Sequence, residues 1–293
     1  MKTAVNILLG IAILVIVLSF ILVYVNTHPP KYPLKVSPSD YHADYAQITL
    51  TTSDGLTLAG WLVKPGNDGK RSPAIIICHG LGSNRSDLTE LAVLLARRGY
   101  LVLAFDFRAH GDSEGSRTSL GYHEKKDVRA ALDYLSSLPG VDQGRIGIFG
   151  FSLGGATAIM SAAETRKIKA VAADSAFTNL REQARQAITG FYHLPAFPFA
   201  ELSVIAYQIY FQTNVGRIDP ESVIGAISPS PVLIIAGEDD DMIPAGNGRR
   251  LYQAAMEPKE LWVIPVGGHG GTMAAAGNEY NERIVAFFDR SMQ

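Results

Sequence analysis

Two windows of the sequence place a serine between glycines at the spacing G-x-S-x-G: Gly150-Phe151-Ser152-Leu153-Gly154 and Gly111-Asp112-Ser113-Glu114-Gly115. The spacing suits a serine nucleophile on a sharp strand-to-helix corner. A side chain there is strained, and Cβ atoms two residues to either side would collide. With 28 glycines in 293 residues, roughly 0.2 such windows arise by chance, so the neighbouring sequence has to decide. Ser152 follows the apolar run 146–149 and precedes an alanine-rich segment reaching Met160, a strand and then a helix. Ser113 sits between the polar run Arg108-Ala109-His110 and a second loop at 116–119, where no strand meets a helix. Ser152 is therefore the expected nucleophile, at a helix N-terminus that favours developing negative charge. Ser113 is expected to be a loop residue.

A serine nucleophile needs a base, and the base needs an acid to hold its tautomer. His269 stands in Gly267-Gly268-His269-Gly270-Gly271, just after the apolar run 261–264, where nothing bulky would stop it swinging towards Ser152. The acid is expected after the apolar run 232–236, where Gly237 is followed by Glu238 and three aspartates. Asp240 is preferred, with Asp239 and Asp241 as solvated or capping neighbours, but three adjacent aspartates leave the choice open. Asp174, at the end of another apolar run, is the reserve acid. No calcium-loop pattern accompanies these acids, and no metal or cofactor is expected. Acyl transfer also needs amides aimed at a developing oxyanion. The backbone N–H groups of Leu81, in the turn Cys78-His79-Gly80-Leu81-Gly82, and of Leu153 would supply them. His79 reads as a hydrogen-bonding strap for that turn. Asp106, Arg108 and His110 read as an internally bonded loop in which Arg108 pairs with a carboxylate.

These groups have to be delivered by strand ends. The alternation of residues 47–52 and 56–63 around Ser53-Asp54-Gly55 predicts a hairpin. Beyond residue 66, uninterrupted apolar runs at 74–78, 101–105, 146–149, 170–173, 232–236 and 261–264 alternate with helical segments such as 123–137 and 278–290. Strands apolar on both faces predict an α/β fold with a mostly parallel sheet of about eight strands, covered by helices on both faces. Cys78, the single cysteine, falls inside one such run and reads as a small buried hydrophobe. The stretch 175–230 is long for a connection within a compact sheet and predicts a small helical lid. Its aromatics, Phe191, Tyr192, Phe197, Phe199, Tyr207, Tyr210 and Phe211, either shape an apolar pocket or only pack the lid onto the body.

Residues 4–25 form a near-continuous apolar run broken only by Asn6, Gly10 and Ser19. As a helix they would span roughly 33 Å, enough for a bilayer core. Leu22-Val23-Tyr24-Val25-Asn26 offers no small-x-small cleavage site, which favours a single-pass membrane anchor over a cleaved signal. Lys2 on one side and Lys31 and Lys35 on the other leave the orientation open. The expected organisation is an anchor at 1–26, a proline-rich extended linker at 27–45, and one domain at 46–293. A net charge of −2 gives no electrostatic reason to expect nucleic acid as a partner.

Taken together, His79-Gly80, Asp106-Phe107-Arg108-Ala109-His110-Gly111, the Ser152 window, Asp174-Ser175, Gly237-Glu238-Asp239-Asp240 and Gly268-His269 resemble the α/β-hydrolase superfamily. The nearest likeness is to membrane-anchored serine hydrolases of the serine-aminopeptidase-like (S33-type) branch. The resemblance runs from Gln47 to the C-terminus and implies the α/β-hydrolase fold with a Ser-Asp-His triad. In the family's pattern the acid lies three residues after the strand-ending glycine and four before a proline, and both counts select Asp240. Ala109 stands where the family's loop carries a glycine. The implied activity is hydrolysis of small-molecule carboxylic esters or thioesters of apolar acyl groups through an acyl-enzyme. An exopeptidase on the same triad would want an acidic lid pocket, for which Glu201 is the one candidate. A third reading is a membrane-tethered binding module that keeps the fold without the chemistry.

Overall fold

Successive residues of a strand point to opposite faces, so strands apolar throughout demand cover on both sides. The computed structural model, which describes residues 1–66 and 71–292, meets that demand. Its strands are β1 (Tyr45–Thr51), β2 (Thr57–Val63), β3 (Ser72–Cys78), β4 (Leu101–Phe105), β5 (Val141–Phe151), β6 (Ile168–Asp174), β7 (Val232–Gly237) and β8 (Lys259–Ile264). Its first helices are α1 (Lys2–Thr27), α2 (Thr89–Arg97), α3 (Glu124–Ser137), α4 (Leu153–Ala163) and α5 (Leu180–Gln186). They are followed by α6 (Ala196–Phe211), α7 (Pro220–Val223), α8 (Gly246–Ala254), α9 (Thr272–Ala276) and α10 (Asn278–Ser291). The eight strands form one sheet in the order β1-β2-β4-β3-β5-β6-β7-β8. Only β2 runs antiparallel to its neighbours, β1 and β4; the remaining pairs are parallel.

The two faces have separate cores. Ile76 and Ile234 meet Val128 and Leu132 of α3, Ile159 of α4 and Leu251 of α8. Ile75 and Ile235 meet Leu91 and Leu95 of α2 and Ile284 and Phe288 of α10 on the other side. Cys78 is fully buried on the first face, as a small hydrophobe should be, and burial pushes its thiol pKa well up. The expected strand at 146–149 is longer: β5 begins at Val141, because backbone pairing of Val141 with Ser72 extends the ladder beyond the apolar residues.

β3, β5, β6, β7 and β8 all end on the same sheet edge, which therefore collects the loops carrying His79, Ser152, Ser175, Asp240 and His269. Between β6 and β7 the chain makes a helical excursion through α5, a π-helical turn at Ala187–Phe191, α6 and α7. The apolar helix α1 is long and apolar enough to cross a membrane. From Val15 onward one of its faces is in contact with the protein. Val15, Leu18 and Leu22 pack with Leu194 against Ile188, Phe199 and Ala200.

The segment expected as an extended linker, 27–45, is seated on the body and makes a 3₁₀ turn at Pro38–Tyr41. The Thr118 amide donates to Thr27 O at 2.8 Å, and Asn84 Nδ2 donates to Tyr32 O at 3.0 Å. The Lys35 amide donates to Ser86 Oγ at 3.1 Å. Leu34, Tyr41 and Ala43 then pack on the α2 side of the sheet.

Candidate active site

The corner after β5 is built by the absence of side chains. A Cβ on Gly150 would overlap the Gly154 carbonyl, and one on Gly154 would overlap the Cys78 and His79 carbonyls at the end of β3. The two glycines thus serve different contacts, one inside the turn and one between the turn and the neighbouring strand. Between them Ser152 takes φ 54° and ψ −117°, a left-handed conformation that costs on the order of 1–3 kcal/mol and persists only where its surroundings impose it. The Ser152 amide donates to Asp174 O at 2.8 Å, and its carbonyl accepts from the Ala156 amide at 3.0 Å. That pins the corner between β6 and α4.

His269 is carried by a loop in which Gly267, Gly268 and Gly270 all have positive φ and a Cβ on Gly271 would overlap the Gly267 carbonyl. The loop brings His269 Nε2 to 3.0 Å from Ser152 Oγ and Nδ1 to 2.8 Å from Asp240 Oδ2. With Nδ1–H donating to the carboxylate, Nε2 is left as the acceptor for the serine hydroxyl. Asp240 is buried, and its other oxygen accepts the Met242 and Ile243 amides at 3.0 and 2.7 Å. The ring of Phe151 lies against the imidazole, centroids 5.2 Å apart.

The neighbouring acids have other positions. Asp239 is exposed but accepts the Gly268 amide at 2.8 Å, so it grips the histidine loop. Asp241 is exposed. Asp174, the reserve acid, does not reach His269. Its carboxylate is fully buried and accepts Tyr280 OH at 2.6 Å, Thr272 Oγ1 at 2.7 Å and Ser175 Oγ at 3.0 Å. It ties α9, which opens three residues after His269, and α10 to the end of β6.

Leu81 and Leu153 border the same cavity as Ser152, and Leu153 opens α4, where backbone amides lack helical partners. The Leu81 turn is held by two histidines. His79 Nδ1 donates to Gly80 O at 2.7 Å while Nε2 accepts the Phe107 amide at 2.9 Å. His110 Nδ1 donates to Arg108 O at 2.8 Å while Nε2 accepts the Gly82 amide at 3.2 Å. Burial pushes both pKa values down to about 4, so both rings are neutral. His79 is a strap, as its place in the sequence suggests, and it is not part of the Ser152 relay.

Arg108 pairs with buried Asp127, Nη2 to Oδ1 2.6 Å, and with Asp54. Asp106 is held by Arg85, which also reaches Asp112 at 2.7 Å; the sequence gives no sign of that pairing. Ser113 Oγ donates to Asp106 O at 2.6 Å and accepts the Ala59 amide at 2.9 Å, a clip between the loop after β4 and strand β2. Ala109 adopts φ 64°, left-handed like the glycine expected there.

Above Ser152 and His269 lies a cavity of about 370 Å³. Phe177, Leu180, Ile188, Val204, Tyr207, Val215 and Ile243 wall it, and among its described lining residues there is no Asp, Glu, Lys or Arg. The aromatics of the 175–230 segment divide their tasks. Phe191, Tyr192 and Tyr207 line the cavity, Phe199 packs on α1, and Phe197 points outward. One wall was not anticipated: Leu22, Val23, Asn26 and Thr27 of α1 line the cavity too. Asn26 Nδ2 donates to Tyr192 OH at 2.8 Å across that contact. Ser19 and Asn26, seven residues apart and so on one helix face, are the signal the sequence did carry.

A family model described as X-Pro dipeptidyl-peptidase (S15 family) matches residues 54–213. Uncharacterized protein Rv2307c of Mycobacterium tuberculosis is 36% identical over 240 residues, 82% of this chain and 78% of its own. The alpha/beta hydrolase domain-containing protein WAV2 of Arabidopsis thaliana is 28% identical over 92% of this chain and 87% of its own. Among solved structures, the Pyrococcus furiosus esterase Pf2001 superposes with a TM-score of 0.74 at 28% identity, covering 92% of this chain and 99% of the esterase. The fold is that of the α/β-hydrolases. The superfamily is the expected one, while the matching model names the S15 family and not the serine-aminopeptidase-like branch.

Proposed function

Since the chain belongs to the X-Pro dipeptidyl-peptidase (S15) family of α/β-hydrolases and is a hydrolase, we propose that it cleaves carboxylic esters or thioesters of apolar acyl groups at Ser152, tethered to a membrane by α1. The observation that carries this reading is the relay Ser152 Oγ–His269 Nε2–Asp240 at 3.0 and 2.8 Å, set in the floor of an uncharged cavity. Ser152 Oγ attacks the acyl carbonyl as its proton passes to His269 Nε2. Asp240 holds the ring and stabilises the imidazolium, and the Leu81 and Leu153 amides face the oxyanion. The alcohol or thiol leaves with the proton from His269. Water, deprotonated by the same nitrogen, then releases the acid and restores Ser152.

The S15 match favours a second reading, an exopeptidase. Such an enzyme recognises a charged amino terminus, and burying that ammonium without a carboxylate is costly. The described residues lining the cavity supply none, and Glu201 is exposed on the outside of the 175–230 lid. The test is turnover of a butyryl aryl ester against X-Pro and aminoacyl anilides by the full chain in detergent, beside Ser152→Ala. Ester hydrolysis is expected to dominate and to fall by about a million-fold in the variant. Faster anilide hydrolysis would make it a peptidase. Absence of both activities, with no fluorophosphonate labelling of folded protein, would leave a binding module.

A further inference from the structure

Lengths along α1 do not fit a helix that stands clear of the domain while crossing a bilayer. Residues 2–14 are exposed all round, and thirteen helical residues reach only roughly 20 Å. A hydrocarbon core is about 30 Å thick. Crossing it therefore requires about seven further residues, from Val15 to about Ile21. That is the portion whose inner face is packed on Leu194, Phe199 and Ala200. Whatever level of the bilayer holds Val15 and Leu18 also holds the helix they touch.

The outer surface of that helix is suited to the position. Glu201, Ile205 and Ile209 follow one another at four-residue spacing along α6 and are exposed, and exposed Phe197 stands before them at a break in the helix, φ −90° and ψ 131°. Phe197 is 77% and Ile209 61% exposed. Glu201 is the one charge on this stripe. In water, large apolar side chains exposed on both sides of it would be a liability. Charge of the right sign stands at the end of α1: Lys31 and Lys35 follow it, and exposed Arg117 lies over the rings of Tyr210 and Phe211. Lysines and arginines at that level meet lipid headgroups favourably. Along α1 runs a second, apolar groove of about 360 Å³, lined by Ile16, Phe20 and Tyr24 among others and closed at one end by Tyr210 of α6. Val23 belongs to the walls of both this groove and the Ser152 cavity.

We propose that the lid is sunk into the bilayer together with α1, and that the Ser152 cavity takes its acyl chains from the lipid phase along the α1–α6 contact. The substrate class is then an ester of a long acyl chain dissolved in the membrane. The proposal rests on the reading of α1 as an anchor and of Ser152 as the hydrolytic serine.

The test uses the full chain in vesicles of phosphatidylcholine and phosphatidylglycerol. Single tryptophans are introduced as Phe197→Trp and Ile205→Trp on the lid, Ile13→Trp on α1, and Gln143→Trp at the opposite end of β5, and quenched with brominated phosphatidylcholine. The native Trp61 and Trp262 are buried and form a common background. The lid tryptophans are expected to quench as strongly as Ile13→Trp, and Gln143→Trp hardly at all. A lid that follows Gln143→Trp while Ile13→Trp is quenched overturns the proposal, as does an unquenched α1. Cross-linking of Ile209→Cys between two copies in the vesicle would also overturn it, because a second chain would then cover the face. In parallel, Ile205→Lys with Ile209→Lys is expected to lower the ratio of umbelliferyl oleate turnover in vesicles to umbelliferyl acetate turnover in solution at least about tenfold. An unchanged ratio counts against lipid-phase access. Loss of fluorophosphonate labelling at Ser152 would sink the hydrolase reading by itself and leave the quenching result standing.

Discussion

The Gly268 amide donates to the Asp239 carboxylate at 2.8 Å, while the next residue, Asp240, takes the imidazole of His269 at the same distance. Two adjacent acids thus hold one loop, one by its backbone and one by its imidazole. Asp240→Asn presents an amide to Nδ1 and disturbs the tautomer, and is expected to lower kcat by about 10⁴. Asp239 is a positioning residue on the surface, so Asp239→Ala is expected to lower kcat less than about tenfold with KM unchanged. Asp239→Asn, which keeps an acceptor for Gly268, should restore it. Steady-state kinetics on one aryl ester distinguish all three variants. Equal losses in Asp239→Ala and Asp240→Asn would contradict the division of labour.

The two G-x-S-x-G serines differ in what removal costs. Ser152→Ala is expected to abolish fluorophosphonate labelling with little change in stability. Ser113→Ala leaves the half-buried Ala59 amide without its acceptor, and is expected to lower stability by about 1–2 kcal/mol with labelling intact. Gel-based labelling and urea denaturation of both variants would reverse the assignment if the pattern were exchanged.

Acid should loosen the Leu81 turn. The fold holds His79 and His110 neutral, with pKa values pushed down to about 4 by burial, against an ordinary value of 6.5. The unfolded chain takes up these protons as pH falls through 6.5, and the folded chain does so only near 4. Between those values the unfolded state binds more protons, so stability is full above 6.5 and declines down to about 4. Urea midpoints measured from pH ~7.5 to ~4.5 should fall accordingly. His110→Gln, which retains an acceptor for Gly82, should flatten the decline. A profile identical to wild type in that variant would show that His110 takes no part.

Ala109 occupies a left-handed conformation, φ 64°, that an L-residue reaches at a cost of about 1–2 kcal/mol. Ala109→Gly relieves that strain, though it also frees the unfolded chain. A net gain of roughly 0.5–1 kcal/mol is expected, read as a raised denaturation midpoint. A drop would mean that packing of the buried methyl outweighs the backbone strain.

Much of this site was legible because backbone geometry demands particular residues. Only glycine fits at positions 150 and 154, and the glycines around His269 advertise a loop with three residues at positive φ. The doubly buried strands were equally legible, since Ile75 and Ile76 must both be apolar whichever face each meets. Asp240 was harder to single out, because chemistry alone does not distinguish three aspartates and only register does. The pairing of Arg85 with Asp106 left no trace, as contacts between distant loops have no period. The second half of α1 was hidden for another reason. Val15, Leu18 and Leu22 satisfy lipid and protein equally well, and hydropathy does not say which apolar neighbour a residue has.

The wall that α1 contributes links biosynthesis to catalysis. Leu22 and Val23 leave the ribosome long before the strands that carry Ser152 and His269 exist, and they end up facing both. The site is therefore assembled from segments far apart in the chain, and its walls are complete only when the loop carrying His269 has been made. A shortened protein that starts after Thr27 retains every group of the relay yet has a cavity open on one side. Its preference among acyl chains would describe the shortened protein and not the whole one.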